Sequence, residues 1–170
     1  ATLELLAQHN ILFTILAPRQ AKAFRKLNDD QWQTINENQL DTAIPYAYKL
    51  PSGRTIALFF YNGQISREVA FNGLLNSGKL FADRLIVATR DTEQPRLIHI
   101  ATDGESYGHH HYRGDMALAS CIDYLKKNKS VTLTNYGEFL AKFPPQYEIQ
   151  IHENSSWSCA DHCLVNGCVI

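Results

Sequence analysis

The chain has 170 residues, a mass of 19.3 kDa and 45% hydrophobic residues, enough apolar material for one ordinary domain with a real core. Its 16 Lys and Arg against 17 Asp and Glu leave a formal net charge of −1, and like charge gathers only in Lys126-Lys127-Asn128-Lys129, which argues against a nucleic-acid partner. No apolar run approaches the roughly 20 residues of a membrane helix and no leader pattern opens the chain, so the expectation is a cytoplasmic protein with no membrane partner.

Leu3, Leu5, Leu6 and Ala7 predict a short helix after Thr2 as N-cap, with Asn10 ending it in a left-handed conformation. The nearly continuous apolar run Ile11 to Leu16 predicts a strand covered on both faces, stopping at Ala17-Pro18. Gln20 to Leu27 reads as helical. Asn28 to Thr42 is polar, with only Trp32, Ile35 and Leu40 to bury, and reads as an excursion from the core. Tyr46 to Leu50 and Thr55 to Tyr61, rich in aromatic and β-branched residues, flank Pro51-Ser52-Gly53-Arg54 and predict a hairpin.

Ile65 to Ala88 carries apolar residues at near-helical spacing, broken by Gly73 and Gly78, and predicts one long helix or two joined near Ser77. Beyond it the spacing predicts a buried strand at Leu97 to Ala101, a helix at Met116 to Leu125, a strand at Val131 to Leu133, a helix at Tyr136 to Phe143 stopped by Pro144-Pro145, and a strand at Tyr147 to Ile151. Strands alternating with helices predict an α/β fold on a mostly parallel sheet, open or closed into a barrel, with its chemistry at the carboxyl ends of the strands.

Asp103 lies two residues past such an end. Thr102-Asp103-Gly104-Glu105, then Tyr107, Gly108 and His109 to His111, crowd titratable groups into one connection between elements. Gly104 and Gly108 free the backbone on both sides of Glu105, so carboxylates can be aimed inward. In glycoside hydrolysis one carboxylic acid protonates the departing oxygen while a second carboxylate attacks the anomeric carbon or activates water, and Asp103 suits the first role. Glu105 is a supporting carboxylate. Tyr107 is placed to hydrogen-bond a substrate hydroxyl or to orient Asp103, whereas Tyr112, Tyr124 and Tyr136 read as packing residues. His99, inside a strand, reads as a satisfied core histidine, and Arg67 and Glu68 as solvated helix charges.

A plainer reading makes Asp103 the cap of the next turn, Asp115 the cap of the helix at Met116, and the three histidines solvated polar residues. No metal or cofactor is called for, because three adjacent histidines cannot all face one ion without backbone contortion. The spacing of Cys159, Cys163 and Cys168 around His162 matches no standard zinc finger, and with Cys121 these residues suit reduced thiols. Trp157 reads either as a core residue or as a ring that stacks on a sugar.

Asp103-Gly104-Glu105-Ser106-Tyr107-Gly108-His109 resembles the fourth conserved motif of glycoside hydrolase family 57, a group acting on α-glucans through an incomplete (β/α)7 barrel. Phe13 to Pro18 with Gln20-Ala21, Phe59-Phe60-Tyr61 with Ile65-Ser66-Arg67, Gly114 to Ala119, Thr134 to Glu138, and Glu153 to Ala160 resemble a bacterial α-amylase or α-mannosidase-like subgroup of that family. The resemblance implies a partial catalytic barrel over residues 1–160 and an atypical Cys-containing tail over 161–170. It implies a retaining hydrolase or glucanotransferase on α-linked glucans or mannans, with Asp103 as acid/base and with His109, His110 and Trp157 near the oligosaccharide or polysaccharide substrate.

In the family the nucleophile is a glutamate at a strand end shortly before the helix that corresponds to Leu3 to Gln8, which places it upstream of residue 1. Glu4, inside that helix, is no substitute. The expectation is therefore a fragment that is inactive alone and that associates with itself or with the rest of the barrel. Two other classes stay open: a noncatalytic carbohydrate-binding or regulatory module, and a metal-dependent polysaccharide deacetylase-like hydrolase using Asp103 and the histidines as ligands.

Overall fold

The computed structural model describes residues 1–89 and 94–156. They fall into two compact units, one made of residues 1–60 with the described part of 145–170, the other of residues 61–144.

The first unit holds a six-stranded sheet and one helix. Helix α1 (Thr2–Gln8) is followed by β1 (Phe13–Leu16), β2 (Ala21–Lys26), the two-residue β3 (Gln33–Thr34), β4 (Tyr46–Lys49) and β5 (Thr55–Phe60). The last strand, β6 (Tyr147–Ile151), returns from the far side of the sequence. The spatial order is β1-β5-β4-β6-β2-β3. The sheet is mixed, which corrects the expectation of mostly parallel strands: β1 with β5 and β4 with β6 run parallel, while β4 with β5, β2 with β6 and β2 with β3 run antiparallel. The reason lies at Pro51 to Arg54, where Gly53, at φ 84, reverses the chain within four residues and sets Tyr46 opposite Leu58.

Gln20 to Leu27 is not helical; its core is strand β2. Two burial periods compete in Ala-Lys-Ala-Phe-Arg-Lys, and long-range pairing decides between them. Arg25 Nε and Nη2 donate to Glu148 Oε2 at 3.0 and 2.7 Å across the β2–β6 ladder. Lys49 Nζ stands 3.3 Å from the same oxygen, and the Trp32 ring lies 4.5 Å under the Arg25 guanidinium. Two cations thus pair with the buried Glu148, whose charge would be costly to bury unpaired. Along β4, β5 and β6, Tyr46, Ile56, Leu58, Phe60 and Ile149 form one face of the sheet and bury against Leu3, Leu6 and Ala7 of α1. Asn10 takes the left-handed conformation, at φ 60, as expected; the N-cap of α1 is Ala1 rather than Thr2.

β1 departs from expectation in its surroundings. It lies at one end of the sheet, and Ile11, Leu12 and Ile15 are exposed, so its apolar run is not covered on both faces.

The second unit is helical. α2 (Gly63–Phe71) starts where the Asn62 side chain accepts from Ile65 N at 2.9 Å, and α3 (Gly78–Ala88) starts at Ser77, whose hydroxyl accepts from Leu80 N. The two-helix alternative therefore holds, with the break at Ser77. α4 (Gly114–Lys127) and α5 (Tyr136–Lys142) complete the unit. Gly78 is the contact point of α3 and α4: a Cβ there would sit 2.5 Å from Ser120 Cβ and 2.6 Å from the Ala117 carbonyl oxygen. Ile65, Val69, Phe81, Ala82, Ile86, Ala117, Cys121 and Leu125 form the core between these helices. Burial pushes the Cys121 thiol up to about 11.

Neither Leu97–Ala101 nor Val131–Leu133 belongs to the sheet, although both were expected as strands. Each has the apolar composition of a strand without a ladder partner. The first is held instead by single bonds, Asn62 N to the His99 carbonyl at 2.8 Å and Ala101 N to Ser66 Oγ at 3.1 Å. Among the described residues no helix is long and apolar enough to cross a membrane.

Candidate active site

His99 is buried, and its Nδ1 lies 3.0 Å from Tyr136 Oη with the two rings edge to face, which is the satisfied core histidine expected. Desolvation raises the Tyr136 pKa. The chain then emerges at Thr102 into a single 3-10 turn, Gly104–Tyr107, with Asp103 as its N-cap residue.

The Asp103 carboxylate makes no capping bond: only its carbonyl is used, accepting from Ser106 N at 3.0 Å. The side chain is exposed. Asp115 does not cap either. Arg113 is the N-cap of α4, in the left-handed conformation at φ 59, and Asp115 lies in the first turn, where a carboxylate favours the helix dipole. The reading of Asp103 and Asp115 as structural caps is thereby corrected.

Glu105, also exposed, has His110 Nε2 3.4 Å from its Oε2, and its carbonyl accepts from the backbone of both His109 and His110 at 3.0 Å. The His109 and His110 rings stand 5.0 Å apart, edge to face. Tyr107 Oη lies 2.9 Å from Thr102 Oγ1, which closes the loop across its base. His111 turns away from its neighbours: its Nε2 donates to the Ala70 carbonyl at 2.9 Å, since a carbonyl can only accept. The structure thus gathers Asp103, Glu105, Tyr107, His109 and His110 on one short connection. Among the described residues, no three His, Cys, Asp or Glu side chains stand together as a metal-holding set. Trp157 and Cys159, Cys163 and Cys168 lie outside the described residues.

The glycine that shapes this loop is not one of the two expected. At Gly104 and Gly108 a Cβ meets nothing within 4 Å, and Gly108, at φ 164, is simply extended. At Gly114 a Cβ would stand 2.9 Å from the Ser106 carbonyl oxygen and 3.1 Å from Tyr107 Cα. The start of α4 and the acidic turn therefore touch backbone to backbone.

Sequence reasoning missed two partnerships. Glu68, read as solvated, accepts from Arg84 Nε at 2.7 Å and Nη2 at 3.0 Å, linking α2 to α3. The His111 bond to Ala70 joins residues 41 apart in sequence. Sequence periodicity carries no signal for contacts of this kind.

A mixed α/β fold that presents an uncapped aspartate, a neighbouring glutamate and imidazoles on one exposed turn has the composition of a carboxylate-based hydrolase site. Comparison with known proteins narrows the class. Glycosyl hydrolase family 57 matches residues 19–152, and the chain belongs to that family. Two solved structures share the fold. A 4-α-glucanotransferase from Thermococcus litoralis superposes with a TM-score of 0.64 at 17% identity, over 88% of this chain and 22% of that one. An exo-type maltose-forming amylase from Pyrococcus sp. ST04 gives 0.60 at 20% identity, over 91% of this chain and 26% of that one. The chain thus spans about a quarter of the length of these neighbours. No curated protein matches it.

Proposed function

We propose that this chain carries the acid/base part of a retaining glycoside hydrolase or glucanotransferase acting on α-linked glucans, with Asp103 as the acid/base and the glutamate nucleophile supplied from outside these residues. The observation that carries the reading is the Asp103 carboxylate, exposed at the head of its turn and not consumed as a cap. Family membership supports the reaction class. The names of the two structural neighbours, a glucanotransferase and a maltose-forming amylase, support α-glucan as substrate.

In the first step the protonated Asp103 gives its proton to the glycosidic oxygen as the C–O bond breaks, while a carboxylate attacks the anomeric carbon. In the second, the Asp103 carboxylate takes a proton from water, or from the hydroxyl of an acceptor sugar, which displaces the enzyme carboxylate. Glu105 and His110 keep charge and hydrogen-bonding groups beside that exchange. Glu68, Glu138 and Glu148 are each engaged by a cation, Glu4 sits in the first turn of α1, and Glu153, two residues past β6, accepts from Tyr48 Oη at 3.3 Å. Residues 1–160 belong, on this reading, to an incomplete (β/α)7-type barrel.

Azide tests the assignment, because a small anion can occupy the place of a missing carboxylate nucleophile. Maltoheptaose incubated with the chain is expected to be cleaved only when azide is added, yielding a glycosyl azide, and not by the Asp103→Asn variant. Hydrolysis without azide that Asp103→Asn abolishes would place the nucleophile within these residues. Cleavage that survives Asp103→Asn, or no cleavage even with azide, overturns the role of Asp103.

A further inference from the structure

Phe71 ends α2 and Tyr112 follows the three histidines, and both rings stand almost wholly in solvent, 82% and 84% exposed. Single exposed apolar residues are ordinary on a protein surface; two large rings in one neighbourhood, both denied burial, are a surface feature. That neighbourhood is defined by one bond. His111 Nε2 donates to the Ala70 carbonyl at 2.9 Å, so the residue before Tyr112 is fastened to the residue before Phe71. The same three-histidine segment is tied back to Glu105 through the amides of His109 and His110. The backbone that carries each ring is therefore tied to the segment that bears Asp103.

Arg113 adds a polar edge. Its Cζ lies 5.1 Å from the centroid of the Tyr112 ring, and its left-handed backbone, at φ 59, is a conformation that a non-glycine residue holds only under constraint. The next residue, Gly114, supplies that constraint by its close seat on Ser106 and Tyr107. The arrangement is thus two exposed rings with a planar set of donors over one of them.

We propose that Phe71 and Tyr112 form a stacking platform for the glucose rings of an α-linked glucan, with the Arg113 guanidinium donating to sugar hydroxyls. A pyranose has an apolar C–H face and a rim of hydroxyls, so an aromatic face with adjacent planar donors complements both parts. The choice of glucan rests on the function proposed above, and continuity with the Asp103 turn is what selects a sugar over a protein partner. This revises Tyr112, which the sequence suggested as a packing residue.

Calorimetric titration of maltoheptaose into the full chain carrying Asp103→Asn tests the platform without turnover. Phe71→Ala and Tyr112→Ala are each expected to raise Kd about tenfold, and Tyr112→Phe, which keeps the ring, to stay within about twofold. Both rings are exposed, so thermal melts of the alanine variants are expected to match the parent. An unchanged Kd in both alanine variants overturns the proposal, as does equal loss in Tyr112→Phe. Loss of self-association in the ring variants at constant Kd would assign the surface to protein contact and also overturn it. The outcomes separate this idea from the catalytic one: if Asp103 is not the acid/base, ring-dependent binding persists; if the rings are no platform, azide-dependent cleavage persists.

Discussion

Gly114 and Gly104 look alike in sequence, both beside acidic residues, yet the structure gives them opposite meanings. At Gly114 an added methyl would press on the Ser106 carbonyl and on Tyr107 Cα, which are backbone and cannot swing aside. Gly114→Ala is therefore expected to cost about 1–3 kcal/mol in urea unfolding and to disturb the Asp103 turn. Gly104→Ala meets open space and is expected to leave stability within about 0.5 kcal/mol. Equal urea midpoints for the two variants would refute the contact between α4 and the turn. The crowding of titratable groups on the one connection 102–111 was legible in sequence, because such a density is unusual between elements. The glycine that matters was not, since its importance comes from atoms several residues away on a packed neighbour.

At the scale of elements, the side chains that cap helices, Asn62, Ser77 and Asn135, were not the expected Thr2 and Asp115, yet the helices they begin were readable from apolar spacing. β2 was not, because Ala21–Lys26 becomes a strand through Glu148, 123 residues from Arg25. The α2–α3 pairing is equally nonlocal, and it makes a pH prediction. Bidentate donation from Arg84, against a smaller opposing effect of desolvation, holds the Glu68 carboxyl below its ordinary 4.5. A carboxyl depressed in the folded state stabilises above its unfolded pKa, and that contribution fades as pH falls through the lower folded value. Arg84→Ala is therefore expected to cost about 1 kcal/mol at neutral pH, a difference from the parent that shrinks at pH values below about 4. Urea unfolding at neutral and acid pH checks this; a penalty constant with pH would mean that Arg84 acts through packing alone.

At the scale of the molecule, the consequential feature is the end of the sheet at β1. Phe13–Leu16 pairs with β5 on one side, and among the described residues it has no partner strand on the other. Leu12 is 71% exposed and Ile11 44%, so an apolar surface runs along this end of the sheet. Natural edges of this kind carry lysine, proline or a bulge that discourages pairing, and Ile11-Leu12-Phe13-Thr14-Ile15-Leu16 has none of the three. The composition that made this stretch read as a doubly covered strand reports its apolar content, not its cover, because what lies against a strand is set by distant chain. The isolated chain is therefore expected to self-associate through β1 as concentration rises, and Leu12→Lys, placing charge beside the edge, is expected to shift it toward monomer without lowering its melting temperature. Sedimentation velocity over a wide concentration range decides the matter, because a chain that stays monomeric throughout has its β1 edge protected by something other than a partner strand.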